Sequence, residues 1–295
     1  MQSFHDSFRL KAQTPDLNRL WMYIAEEYSK RDLTYETDKL AALNGLAKHF
    51  QINGLEGYIA GNWMASIRDM LLWQKISSLP YPRSTEYIAP SWSWASSPLS
   101  IGFLTLIYER KLNRRHLARI CSITAEDDTS GQLLGGRLIV VGLTIALRLV
   151  GSLLRYERTK SRRAMWYLAC ERSSTLFFVR PDYEGEFETL FESAQKVTGL
   201  LWDVTPDRTR VQKDSLSHMS PYSSHIIILD HYPGNDNLYR RIGIAYINWS
   251  YQDKNGYSPA DIYPPEEIEG MKTDWDWGLG KDWFKDAKLK KVTII

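Results

Sequence analysis

The chain has 295 residues, of which 43% are hydrophobic and 24% charged, with a formal net charge of +2. That length can bury a sizeable core in one large domain or two small ones, and the near-neutral balance argues against a dedicated polyanion binder. Aromatic residues make up 13%, including 11 Trp and 17 Tyr, which suits a tryptophan-rich core or a recognition surface, the core being the commoner use.

Met1 to Leu10 carries Ser, His, Asp and Arg without an apolar centre, so it does not read as a signal peptide. Leu17, Leu20, Trp21, Ile24, Ala25 and Tyr28 then recur at the spacing of one helical face. Thr14-Pro15-Asp16 supplies a cap and a first-turn proline for that helix. A second helix is expected from about Thr37 to Phe50, with Leu40, Leu43, Leu46, Ala47 and Phe50 inward. Asp38 suits its first turn, where the macrodipole favours an anion. A third is expected to carry Trp63, Ile67, Met70, Leu71 and Trp73, ending before Ser77-Ser78-Leu79-Pro80.

The run Ala89-Pro90-Ser91-Trp92-Ser93-Trp94-Ala95-Ser96 is the most informative. Pro90 biases Ala89 toward extended backbone and cannot donate to a ladder, which fits the first position of a strand. On a strand Trp92 and Trp94 share one face and Ser91 and Ser93 the other. Each indole N–H then needs a buried acceptor.

Beyond Trp94 the period changes from helical to two. Leu143, Ile145, Leu147 and Leu149 alternate with Thr144, Ala146 and Arg148. Strands are also expected at Ala118–Thr124, Leu138–Val141, Met165–Cys170, Thr175–Val179, Ser224–Asp230 and Arg241–Asn248. Gly135-Gly136 and Pro233-Gly234-Asn235-Asp236-Asn237 carry turn chemistry, and Phe187 to Gly199 reads as a helix. The longest apolar stretch, Leu138 to Leu147, is too short to span a bilayer. The expected fold is α+β, an N-terminal helical layer packed on a largely antiparallel sheet or open barrel. Its expected parts are a helical region over 1–98, a mainly β region over 99–250, and a tail over 251–295 packed on the body.

Motifs with a defined chemistry are sparse. His5, His49, His116, His218, His225 and His231 show no metal-ligand spacing. Gly278-Leu279-Gly280-Lys281 lacks the spacing and trailing hydroxyl of a phosphate loop and reads as a turn. Asp274-Trp275-Asp276-Trp277 would put two carboxylates on one strand face, but parallel to each other rather than on opposed sides of a sugar. No Gly-x-Ser-x-Gly elbow occurs. Cys121 and Cys170 sit in apolar, strand-like runs and read as buried free thiols in a reducing compartment. No catalytic, cofactor-binding or metal-binding residue is therefore expected. Two basic runs remain, Arg110, Lys111, Arg114 and Arg115 in one and Arg158, Arg162 and Arg163 in the other. Adjacent in the fold they would form a patch for phosphates or an acidic partner; solvated loops are the plainer reading.

Several of these pieces share an order. Trp21 with Tyr28-Ser29-Lys30-Arg31-Asp32-Leu33-Thr34 precedes the segment from Asp38 to Ala47. Tyr58-Ile59-Ala60-Gly61-Asn62-Trp63 and Leu71-Leu72-Trp73 follow, then Pro90-Ser91-Trp92-Ser93-Trp94-Ala95, and finally Tyr239 to Ile244. Together they resemble the region C-terminal to the HET domain in fungal heterokaryon-incompatibility proteins. The resemblance is dense from Leu17 to Pro98 and returns near His225 to Tyr246. In that family the HET domain is the death-triggering part, and only a short leader precedes Trp21 here. The resemblance implies a non-catalytic, cytoplasmic module of non-self recognition that acts through protein contacts, with a full-length HET-domain relative as one candidate partner. Pro90, Trp92 and Trp94, with Trp63, would clamp the helices to the sheet. The alternatives are a glycosidase-like hydrolase using scattered carboxylates and a weak polyanion-binding module using the basic runs. Neither a membrane span nor a nucleic-acid partner is expected.

Overall fold

A computed structural model describes residues 16–76, 86–104, 115–127, 133–155, 163–170, 176–193, 195–204, 223–248 and 287–295. Helix α1 (Leu17–Ser29) starts at Asp16, whose carboxylate accepts from the N–H groups of Asn18 and Arg19 at 3.1 and 3.3 Å. Thr14 and Pro15 lie outside the described residues. Helix α2 (Lys39–Ile52) follows a 3-10 turn at Glu36–Asp38 and buries Leu40, Leu43, Ala47 and Phe50, with Leu46 half-buried.

The expected third helix is not formed as such. Tyr58–Ile59 (β1) and Asn62–Trp63 (β2) pair as a hairpin, and a 3-10 turn at Met64–Ser66 leads into the short helix Ile67–Met70 (α3) before Trp73–Lys75 (β3). Ala60 and Gly61 turn the hairpin with φ of +46° and +81°, the two positive values a tight primed turn demands. From Ile67 to Lys75 most side chains are buried on every side. Apolar spacing there reports burial rather than a helical face.

Strand β3 pairs with Ile101–Phe103 (β4) beside the helices. The main sheet holds Arg115–His116 (β5), Ala118–Asp127 (β6), the 23-residue Leu133–Arg155 (β7), Arg163–Cys170 (β8) and Leu176–Pro181 (β9). It is completed by Lys196–Val204 (β10), Ser223–Tyr232 (β11), Asn235–Asn248 (β12) and Lys288–Ile294 (β13). Strand β7 bonds to β8, β8 to β9, β9 to β12, β12 to β11, β11 to β10, and β10 back to β7. The antiparallel circuit therefore closes on itself. Strand β6 adds to one side of the first half of β7 and β13 to the other; β13 also meets β12 in parallel.

Two other expectations are corrected. Phe187–Gly199 divides into helix α4 (Glu184–Glu192) and the start of β10, where Val197 and Leu200 are buried in the sheet. Gly135-Gly136 is not a turn but lies inside β7. Gly136 is there for close approach, since a Cβ would lie 2.5 Å from Pro90 Cγ and 3.3 Å from Trp92 Cζ2. Pro233-Gly234 does turn the chain between β11 and β12, with φ of +82° at Gly234.

The fold is α+β, with a helical layer on a largely antiparallel sheet. One apolar cluster joins the helical layer to one sheet face, from Trp21, Leu40 and Trp63 through Trp92 and Trp94 to Leu138, Trp202, Ile244 and Ile294. A second fills the other face with Leu143, Ile145, Leu147, Phe177 and Ile226, covered by Phe187 and Leu190 of α4.

Candidate functional site

The segment from Pro90 to Ser96 is not a strand. Ser93 N–H donates to the Pro90 carbonyl at 2.8 Å, and a 3-10 turn follows at Trp94–Ser96. Ser93 Oγ accepts from Ala95 N–H at 3.1 Å, and Ser96 Oγ donates to the Ser93 carbonyl at 2.7 Å. Such serines offer the backbone a local alternative to a ladder, which is why the alternating pattern misleads. Both indoles are nevertheless buried, together with Ser93.

The residues of the segment tie several parts of the fold together. Trp94 Nε1 and Trp21 Nε1 both donate to the Gly61 carbonyl, each at 2.9 Å. Ser93 Oγ donates to the neighbouring Ala60 carbonyl at 2.7 Å, as does Asn62 Nδ2 at 2.8 Å. The tip of the β1–β2 hairpin is thus held from α1 and from the Trp segment. Trp73 Nε1 donates to the Trp92 carbonyl at 3.2 Å. Ser91 N–H donates to the Ile295 oxygen at 3.0 Å while its Oγ accepts from Arg241 N–H at 2.9 Å, reaching β12 and the end of β13. Tyr183 OH donates to the Ser96 carbonyl at 2.8 Å, and Lys39 Nζ to that of Ser97.

Trp63 sits edge-on to Trp21, with centroids 5.6 Å apart, a favoured aromatic geometry. The expectation that every indole N–H finds an acceptor is only partly met. Among the described residues, those of Trp63 and Trp92 are buried without one.

Two cations lie inside this junction. Arg241, 1% exposed, donates to the carbonyls of Leu71 at 2.8 Å and Trp73 at 2.5 Å. Its Nε lies 3.2 Å from Asp182 Oδ2, and its guanidinium carbon 3.8 Å from the centroid of the Trp73 ring. Burial lowers its pKa, and Asp182 opposes the fall. Lys39 lies 5.5 Å from the Trp94 ring centroid. Burial pulls its pKa down to about 8, against a smaller upward pull from Glu36.

A polar pair that the sequence reading missed lies elsewhere in the sheet. Asp203 and His225 face each other across β10 and β11, with His225 Nδ1 2.6 Å from Asp203 Oδ1 and both side chains buried. A carboxylate on Nδ1 fixes the imidazole tautomer and orientation, as in acid–base triads. No hydroxyl or thiol among the described residues hydrogen-bonds to that ring, so the nucleophile of such a triad is not in evidence. The residues are 22 apart in sequence, and only the strand register joins them.

Most of the other candidates lie outside the described residues. Arg115 lies on β5 and Arg163 on β8, while Arg110, Lys111, Arg114, Arg158 and Arg162 lie outside the described residues, as do Asp274, Asp276 and Gly278–Lys281. Cys121, expected to be buried, is exposed, because it is the extra residue of a bulge between Ile120 and Ser122 on β6. Cys170 ends β8. Among the described residues no group of His, Cys, Asp and Glu could hold a metal ion, and no helix is long and apolar enough to cross a membrane. Comparison with protein-family models, with curated proteins and with solved structures finds no match for this chain.

Proposed function

We propose that this chain is a non-catalytic C-terminal module of a HET-type fungal non-self-recognition protein, acting through protein–protein contacts. The observation that carries this reading is the convergence of its family-like segments. Trp21, the α2 face, the β1–β2 hairpin, Trp73, the Trp92–Trp94 segment and Tyr239 to Ile244 all contribute to one core cluster. The indole N–H groups of Trp21, Trp73 and Trp94 and the hydroxyl of Ser93 are committed to carbonyls of that same junction. A motif spent on holding the fold leaves surface, not chemistry, for function. In this reading the partner is a protein, such as a full-length HET-domain relative, met in the cytoplasm. The test is expression in a fungal cell, as the chain alone and with a HET domain fused ahead of Trp21. Toxicity only from the fusion, and no hydrolase or NAD-cleaving activity in the purified chain, is the expected result.

The Asp203–His225 pair favours a second reading, a hydrolase whose base is His225. Toxicity from the chain alone that His225→Gln abolishes, with the fold retained, would put that reading first.

A further inference from the structure

The tryptophan junction uses only one face of the strands that cover it. On β6, β7 and β13 the residues turned toward the helices, including Leu138, Val140, Val292 and Ile294, are apolar and buried. Side chains alternate along a strand, and directly opposed residues share a face. Val141 stands opposite Arg119 on β6 and Lys291 on β13, so these three share the outer face with Ile139 and Arg137, two and four residues back along β7. Arg119, Arg137 and Lys291 are exposed, and Ile139 and Val141 are half-buried between them. Leu289, on the same side of β13, is 47% exposed. None of the three cations has an ion-pair partner among the described residues. Among the described side chains of β6, β7 and β13 in register on this face, only Glu126, opposite Gly135, carries a carboxylate.

A polyanion is a poor match to this arrangement. Nucleic-acid binders commonly neutralise about 6–10 phosphates, and a phosphate backbone gains nothing from the apolar centre. A protein segment in which carboxylates alternate with apolar side chains satisfies both the cations and the centre. We propose that the outer face of β6, β7 and β13 binds such an acidic, partly apolar protein segment. This names the partner chemistry within the protein-contact reading above and rests on it.

The test uses the whole chain and a fluorescent peptide of alternating Glu and Val, followed by anisotropy, with a Lys–Val peptide and heparin as comparisons. The Glu–Val peptide should bind and the Lys–Val peptide should not. Arg137→Glu with Lys291→Glu should weaken binding by about tenfold or more and bring the Lys–Val peptide on, a swap that a folding defect would not produce. Val141→Ser should also weaken it, and Arg19→Glu with Lys30→Glu on α1 should not. Failure of the Glu–Val peptide to bind, or binding indifferent to the reversed charges, overturns the proposal. So does equal competition by heparin together with a silent Val141→Ser. An active HET fusion that keeps its toxicity in the charge-reversed form would reject this surface while leaving the module reading standing.

Discussion

Trp21 of α1 and Trp94 of the Pro90–Ser96 segment donate to the same oxygen, the Gly61 carbonyl, each at 2.9 Å. A carbonyl has two lone pairs, so neither bond displaces the other. Replacing Trp94 by Phe keeps most of the ring and leaves the oxygen one donor, so the expected cost is about 1 kcal/mol. Trp94→Ala also opens a cavity and should cost about 3–5 kcal/mol. Urea unfolding of the two variants checks the gap between them.

Gly136 on β7 sits under the same segment. An added Cβ would lie 2.5 Å from Pro90 Cγ and 3.1 Å from the Thr124 carbonyl, and neither a proline ring nor a paired strand can swing away. Gly136→Ala should therefore destabilise by about 1–3 kcal/mol, an overpacking cost. Gly185→Ala, where nothing lies within 4 Å, serves as the control.

How much of this was legible follows from the physics of each element. Helices α1 and α2 each bury one face, so their spacing shows in the sequence, and the strands announce themselves through alternation. Most of the segment from Ile67 to Lys75 is buried, so its apolar spacing carries no directional information. Gly135-Gly136 has turn composition, but Gly136 lies in a strand packed closely against residues some forty positions earlier. The hydroxyls that fold Pro90 to Ser96 into turns, and the register that joins Asp203 to His225, depend on partners that no local pattern names.

Arg241 and Asp182 form a buried ion pair between β12 and the end of β9. Removing one partner leaves the other charge without compensation, so Asp182→Asn or Arg241→Met should each cost about 3–5 kcal/mol. The double variant should cost much less than the sum of the two. A double-mutant cycle by denaturant unfolding measures the coupling, and strict additivity would show that the pair does not act as a unit.

Exposure at a bulge makes Cys121 open to reagents. A small alkylating reagent should label it under native conditions, and Cys121→Ser should remove that labelling. Mass spectrometry of the digested protein reads the site directly. Protection of Cys121 from the reagent would mean that something covers β6.

Lys39 links stability to pH in an unusual direction. Its pKa falls from 10.5 to about 8 on folding, because burial beneath Trp94 opposes the charged amine. Between those values the unfolded chain binds a proton that the folded chain has released. Stability contributed by this group is therefore least below about pH 8 and rises as pH climbs toward 10.5. The full span corresponds to about 3 kcal/mol. Tyr87 works against it at the upper end. Burial raises its pKa from 10.0 to about 12, so the unfolded chain loses that proton first and stability falls above pH 10. The rise should therefore show between about pH 8 and pH 10 in urea unfolding midpoints. Lys39→Met keeps the aliphatic bulk and removes the charge, so it should flatten the curve and raise stability at neutral pH. A pH-dependent rise that survives in Lys39→Met would assign the effect to another group.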